Sequence, residues 1–166
     1  MKKSTIAILA VVAVIVVWAI AGYNGLVSKE ESVNQTWANV ESAYQRRMDL
    51  IPNLVNTVKG YAEHEKETLQ AVTDARTKAT SINIDPSTAT PEQMEAWMSA
   101  QHSMSSALGR LIAVSESYPE LKANENFRDL QAQLEGTENR IKVERDRYNA
   151  AVKEYNVKIR RFPSNI

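Results

Sequence analysis

The stretch Arg46–Val55, RRMDLIPNLV, interrupts a chain whose apolar spacing is otherwise helical. Asp49 is a residue type that caps helix N-termini, and Pro52 would then fall in the first turn of the next helix, where its missing N–H costs nothing. The two arginines would lie in the last turn of the preceding helix, where the helix dipole favours cations. The stretch therefore predicts a hairpin, with one helix ending near Met48 and the next beginning after Asp49.

The predicted hairpin corner would carry charged and amide side chains at the end of the helices that faces away from the membrane. Arg46, Arg47, Asp49 and Asn53 thus form a possible partner-binding tip. A weaker alternative is a hydrolase site that uses the two arginines and Asp49, in which Asp49→Asn would abolish activity without loss of helical structure.

An uncharged N-terminal run predicts a membrane anchor. Residues Ile6–Ala21 are all Ala, Val, Ile, Leu or Trp, and Ser4–Tyr23 reaches the roughly 20 mostly apolar residues that a spanning helix needs. A cleaved signal peptide is the alternative, because Ala19-Ile20-Ala21 follows a basic start. The apolar run is long for a signal peptide, so residues 1–23 are predicted to be an uncleaved anchor and residues 24–166 a helical domain.

Basic residues near the span predict its orientation. Lys2 and Lys3 precede the apolar run, whereas Lys29 follows it beside Glu30 and Glu31. Because basic residues near a span favour the cytoplasmic side, we expect a single-pass protein of the cell membrane with its soluble domain on the outer, periplasmic or extracellular, side.

Helical periodicity continues from Lys29 to the C-terminus and predicts four helices. Residues 82–89 are the clearest loop, and Thr90-Pro91-Glu92-Gln93 has the composition of a capping box with proline at the first helical position. Asn124 is a predicted cap for the last helix, whose apolar heptad runs from Phe127 to Tyr155. The predicted fold class is all-α, with an N-terminal transmembrane helix followed by an antiparallel up-down four-helix bundle.

Composition argues against several kinds of chemistry. The 166 residues have a formal net charge of zero, no cysteine, two histidines and five glycines. Nucleic acid is therefore not an expected partner, and His64-Glu65 lacks the second histidine of a zinc-protease helix. The sequence has no phosphate-binding loop or nucleophile elbow. We predict no catalytic, metal-binding or cofactor-binding residues, and a protein that is not an enzyme.

The C-terminal helix and tail are basic. Residues 140–161 contain eight basic and three acidic side chains, and Lys158, Arg160 and Arg161 are a possible contact with lipid headgroups. A solvated helix with internal ion pairs is an equally good interpretation. Tyr148-Asn149 and Tyr155-Asn156 recur one heptad apart, which indicates either core tyrosines or a self-association register set by asparagine.

Ordered motifs over nearly the whole chain resemble one family. They are Trp37-Ala38-Asn39-Val40-Glu41, Arg46-Arg47, Asp49-Leu50-Ile51-Pro52-Asn53-Leu54-Val55, Thr57-Val58-Lys59-Gly60-Tyr61, His64-Glu65, Ala75-Arg76, Tyr118-Pro119-Glu120-Leu121-Lys122-Ala123-Asn124, Asn126-Phe127, Leu130-Gln131, Thr137-Glu138-Asn139-Arg140-Ile141 and the Tyr-Asn pairs. Together they resemble the LemA family of bacterial membrane-anchored proteins. The resemblance implies an anchored antiparallel helical bundle without a settled activity, catalytic residues or cofactor. Some descriptions of that family place the bundle in the cytoplasm, opposite to the orientation that the charges predict.

The leading functional hypothesis is a membrane-anchored, non-enzymatic helical scaffold of the bacterial envelope. Its expected partners are the lipid bilayer, further copies of itself as a homo-oligomer, and other envelope proteins. The alternative is an accessory or regulatory subunit of a membrane enzyme such as a peptidase.

Overall fold

The computed structural model describes residues 3–162 and 164–165. Its helices are α1 (Lys3–Lys59), α2 (Lys66–Ser81), α3 (Pro91–Ser115), α4 (Pro119–Ala123) and α5 (Glu125–Arg160), and the described residues form no strand. The all-α class is thus confirmed, whereas the antiparallel four-helix arrangement stays a prediction. Lys2, on which the predicted orientation partly rests, lies outside the described residues.

Helix α1 continues without a break through the stretch that predicted a hairpin. Pro52 lies inside this 57-residue helix, where it has no N–H to donate to the carbonyl of Met48 one turn earlier. That carbonyl instead accepts a hydrogen bond from Nε of Arg76 on α2, at 3.2 Å. The Arg76 side chain therefore replaces the backbone donor that proline lacks. This contact is a physical reason why the helix tolerates Pro52.

The predicted hairpin corner at residues 46–55 is consequently wrong. The chain leaves α1 only after Lys59, where Tyr61 and Ala62 both donate their N–H groups to the Val58 carbonyl. The turn is held from two sides, because Asn124 donates to the Tyr61 hydroxyl at 2.9 Å and the Tyr118 hydroxyl donates to Glu65 at 3.2 Å.

Arg76 and Pro52 are expected to be energetically coupled. Arg76→Ala should lower the free energy of unfolding by about 1–3 kcal/mol, because it leaves a buried carbonyl without a donor. In a Pro52→Ala background the alanine N–H can bond that carbonyl. There Arg76→Ala should lower the free energy of unfolding by at least about 1 kcal/mol less than it does when Pro52 is present. Denaturant unfolding of the native protein, the two single variants and the double variant measures this coupling. Lys78→Ala, on the exposed side of α2, serves as the control, and equal costs in both backgrounds would contradict the account.

Two predicted helix starts are confirmed. Thr90 and Gln93 form a reciprocal capping box, with Thr90 Oγ1 accepting from the Gln93 N–H and Gln93 Oε1 accepting from the Thr90 N–H. Asn124 caps α5 by accepting the N–H of Phe127 at 2.9 Å. The predicted loop over residues 82–89 is also present. Short-range sequence signals were sufficient for these features because the interacting groups lie within one turn of each other.

The chain divides into two compact units, Met1–Val40 with Val143–Ile166, and Glu41–Lys142. The second unit has one hydrophobic core to which all five helices contribute. Its largest fully buried apolar side chains are Ile51, Leu54, Val58, Val72, Met104, Leu111, Leu121 and Phe127. The predicted division at residue 23 into anchor and helical domain stays a prediction.

Candidate functional site

Arg47 is a buried and extensively hydrogen-bonded side chain in the core of the Glu41–Lys142 unit. Only 1% of it is exposed. Its Nη1 donates to Ser105 Oγ at 2.8 Å and to Glu138 Oε1 at 3.0 Å, and its Nη2 donates to the carbonyl oxygen and the side-chain Oε1 of Gln101 at 3.2 and 2.6 Å. One guanidinium thereby joins α1 to α3 and α5.

Aromatic rings complete the surroundings of this guanidinium. The centre of the Arg47 guanidinium lies 5.0 Å from the centroid of the Tyr44 ring, a distance at which the ring face attracts a cation. The rings of Tyr44 and Trp97 also pack in an edge-to-face arrangement, with 4.8 Å between their centroids. Because both rings and Gln101 are buried, the arginine is surrounded by protein on most sides.

The cluster around Arg47 has the properties of a structural device rather than a reaction centre. A buried charge destabilises a fold unless it is paired and hydrogen-bonded, and here the two terminal nitrogens of the guanidinium make four hydrogen bonds, one of which is the ion pair with Glu138. The arrangement favours a unique pairing of the three helices, because any slip would leave the charge without these partners.

The residues of the predicted partner-binding tip do not form a tip. Arg46, Arg47, Asp49 and Asn53 all lie inside α1. Arg47 points into the core, Asp49 is exposed and accepts from Gln45 at 2.8 Å, and the Asn53 carbonyl accepts from the Thr57 hydroxyl. The placement at a hairpin corner is therefore wrong.

The hydrolase alternative loses its geometric basis as well. Buried Arg47 and exposed Asp49 lie on different sides of one helix. Exposed Arg46 lines a groove of about 500 Å³ with Arg140 and Gly136 of α5. Binding of a partner by Arg46, Asp49 or Asn53 stays a prediction. Among the residues that the structure describes, no group of three or more His, Cys, Asp or Glu side chains could hold a metal ion.

Sequence reasoning missed the partners of Arg47, although one signal was present. Trp97, Gln101, Met104, Leu108 and Leu111 follow one another at spacings of 4, 3, 4 and 3 along α3. A glutamine within such an apolar stripe indicates a buried polar contact. The sequence could not show that its partner is an arginine 54 positions away, because nothing local relates the two.

The unit formed by Met1–Val40 and Val143–Ile166 has its own contacts between α1 and α5. Trp37 packs on Tyr148 at 5.1 Å between ring centroids, and burial raises the pKa of the Tyr148 hydroxyl. These contacts agree with the interpretation of Tyr148 as a core residue. Lys29 Nζ bonds Glu154 at 2.6 Å and lowers the pKa of that carboxyl group.

The C-terminal end of α5 lies beside the N-terminal apolar part of α1. A side-chain carbon added at Gly25 would lie 3.5 Å from Cε and Nζ of Lys158. The rings of Trp18 and Phe162 are 6.1 Å apart between centroids. The predicted headgroup-contact residues Lys158, Arg160 and Arg161 therefore lie close to the point where the apolar run ends; contact with lipid itself stays a prediction.

Helices α3 and α5 also border a groove of about 530 Å³ in the Glu41–Lys142 unit. Leu108, Ile112 and Leu134 contribute its apolar lining, and Glu135 and Glu138 its acidic lining. A side-chain carbon at Gly109 would meet nothing within 4 Å, so the groove is open at that position.

The chain matches the model of one protein family and several curated relatives. A family model described as the LemA family matches residues 36–166. Magnetosome protein MamQ 2 of Paramagnetospirillum magneticum is 30% identical over 96% of this chain and 65% of its own length. Protein LemA of Metamycoplasma hominis is 25% identical over 86% of this chain and 61% of its own length. The chain thus spans somewhat less than two thirds of these curated relatives.

The fold and these similarities define an all-helical, membrane-associated class of protein with one N-terminal helix long and apolar enough to cross a membrane. Within that class, the chain belongs to the LemA family.

Proposed function

We propose that this protein is a non-enzymatic scaffold that is anchored in the bacterial envelope by the first part of α1 and associates with further copies of itself. The observation that carries the proposal is the exposure of the apolar run. None of the most apolar 18-residue window of α1 is buried within the chain, so its surface is left for lipid. The core helix of a soluble protein would be covered by its neighbours.

A spanning anchor makes a specific demand on the mature protein. The apolar run must remain attached to the helical domain, so the intact mass of the membrane-bound protein should include residues 1–21. Loss of these residues would favour the signal-peptide alternative. We further propose that Lys158, Arg160 and Arg161 contact anionic headgroups on the side of the bilayer that carries the soluble domain.

Self-association is supported by an exposed and partly exposed face of α5, here called the seam. Asn149, Val152, Asn156 and Ile159 follow one another at spacings of 3, 4 and 3, which places them on one helical face. The two asparagines are exposed and the two apolar residues are partly exposed. Asparagine at alternate seam positions is a device that sets the register of paired helices. Anchored copies lie parallel in one membrane, so equivalent residues can meet across a two-fold axis.

Cysteine crosslinking tests this seam, because the natural sequence contains no cysteine. Asn149→Cys, introduced into the full chain in membranes, should give a disulfide-linked product of twice the monomer mass under mild oxidation. Ala150→Cys is exposed on the same helix but faces away from the seam, and should remain monomeric. Adding Val152→Glu to the first variant should abolish the product by placing like charges opposite each other.

Equal crosslinking of Asn149→Cys and Ala150→Cys would show random collision and contradict the seam. A monomeric protein at all concentrations in nanodiscs would contradict self-association altogether.

The accessory-subunit alternative is favoured by a different feature, the open groove between α3 and α5. Its apolar lining and acidic Glu135 suit a helix that carries apolar and basic residues from a foreign membrane protein. Crosslinking from Gly109→Cys in native membranes discriminates the two functions. A single foreign product from this position, together with no homodimer from Asn149→Cys, would favour the accessory role.

A further inference from the structure

We propose that the C-terminal end of α5 is a second, interfacial membrane attachment, in which Phe162 inserts into the bilayer beside Trp18 and the preceding basic residues bind anionic headgroups. This inference rests on the proposed anchoring of α1, and adds an attachment that the span alone does not provide. Its chemical partner is a bilayer that contains anionic phospholipid.

The depth of Phe162 follows from its contact with Trp18. Trp18 lies within the apolar run Ile6–Ala21, three residues before its end. Because the Phe162 ring lies 6.1 Å from the Trp18 ring, a bilayer that surrounds Trp18 must also reach Phe162. Aromatic rings at this level are typical of the boundary between hydrocarbon and headgroups.

Exposure supports the same placement. Phe162 remains 74% exposed and Trp18 49% exposed despite their contact, so the protein itself covers little of either ring. In water the pair would be an uncovered aromatic patch, whereas at a bilayer surface lipid would cover it. Phe162 is also the most exposed of the large apolar side chains that the structure describes.

The basic residues lie at the depth expected for lipid headgroups. Lys158 lies against Gly25, which is about 10 Å beyond Trp18 along α1 at about 1.5 Å per residue. This offset places its ammonium near the headgroups when Trp18 is at the edge of the hydrocarbon. Arg160 and Arg161 are exposed and lie between Lys158 and Phe162 in sequence, so the tail presents cations first and an aromatic ring deeper.

A fluorophore attached near the tail tests the inference in the full chain. Ser164→Cys is labelled with the environment-sensitive dye NBD and reconstituted in vesicles of phosphatidylcholine with phosphatidylglycerol. We expect blue-shifted emission and quenching by lipids that carry a nitroxide near the headgroup. Asp146→Cys, labelled in the same way, should show the emission of a dye in water. Phe162→Asp in the Ser164→Cys protein should shift the emission back to the water value.

The basic residues have a separate readout. We expect each single replacement of a basic residue by glutamine, at Lys158, Arg160 or Arg161, to lower the ratio of inserted to free tail about fivefold. This factor is equivalent to about 1 kcal/mol per basic residue near an anionic surface. That effect should disappear in vesicles of pure phosphatidylcholine and in about 1 M salt, where the Debye length is about 3 Å.

Vesicle flotation separates failure of this inference from failure of the anchor. Protein that floats with vesicles while the dye at position 164 shows the water emission would overturn the second attachment and leave the anchor intact. Protein that does not float would contradict the anchoring on which both proposals rest. Insertion that Phe162→Asp leaves unchanged would also overturn the role assigned to the ring.

Discussion

Replacing Arg47 with alanine is expected to lower the free energy of unfolding by about 3 kcal/mol or more. The substitution removes a guanidinium that is 1% exposed and leaves the side chain of buried Gln101 without its 2.6 Å partner. Water partly screens the pair with Glu138, because that carboxylate is 40% exposed. Most of the loss should therefore come from the vacated space and from Gln101. Denaturant unfolding of the full chain in a mild detergent, followed by circular dichroism, measures it.

The neighbouring arginine is a matched control for this effect. Arg46 has the same side chain and lies in the same helix, but it is exposed. Arg46→Ala should change the free energy of unfolding by no more than about 0.5 kcal/mol. Equal destabilisation by the two substitutions would contradict the assignment of Arg47 as the core residue of the pair.

Two lysines in the apolar run are expected to abolish membrane integration. Val12→Lys and Ile15→Lys lie near the centre of Ile6–Ala21, where each charge disfavours insertion by about 2.5–3.5 kcal/mol. Both positions are exposed on α1, so neither substitution disturbs a protein core. Extraction of membranes with alkaline carbonate should leave the native protein in the pellet and release the doubly substituted protein.

The control carries the same two charges outside the run. Ala38→Lys with Asn39→Lys alters two exposed positions of α1 and should leave the protein in the pellet. Retention of the Val12→Lys, Ile15→Lys protein after extraction would contradict a spanning role for the apolar run.

The sequence was most informative where structure is local. The anchor-like run, the capping box at Thr90 and the cap at Asn124 each depend on residues within a turn or a continuous segment. The apolar stripes identified Phe127, Leu130 and Leu134 as core residues of α5, and all three are buried. Patterns of this kind need no knowledge of which helices are neighbours.

The failure at Pro52 has a non-local cause. Proline at an interior helix position normally ends or kinks the helix, so the sequence favoured a corner. The compensating donor is Arg76, which comes from the following helix and reaches the Met48 carbonyl only when α2 lies beside α1. The Ala75-Arg76 motif was visible in the sequence, but its role depends on that tertiary contact.

The same reasoning explains why the predicted tip was misplaced. Arg46 and Arg47 are chemically equivalent in sequence, and a helix end is a favourable place for both. Burial separates them, because the face of α1 at Arg47 meets Gln101 and Glu138 whereas the face at Arg46 borders an open groove. Knowledge of the exposed and buried faces would have been needed to tell the structural arginine from the surface one.

Continuity of α1 through residues 46–55 is the central claim, since it determines both the role of Arg47 and the position of the first turn. A single distance tests it directly, with spin labels on Glu41→Cys and Lys59→Cys, two exposed positions of the Glu41–Lys142 unit in a chain without natural cysteine. An unbroken helix places the two backbone sites about 27 Å apart. A hairpin at Asp49 would bring them to about 10 Å, the separation of packed helices. Electron paramagnetic resonance of the full chain in nanodiscs should therefore give a distance near the longer value, and a distance near the shorter one would contradict the account.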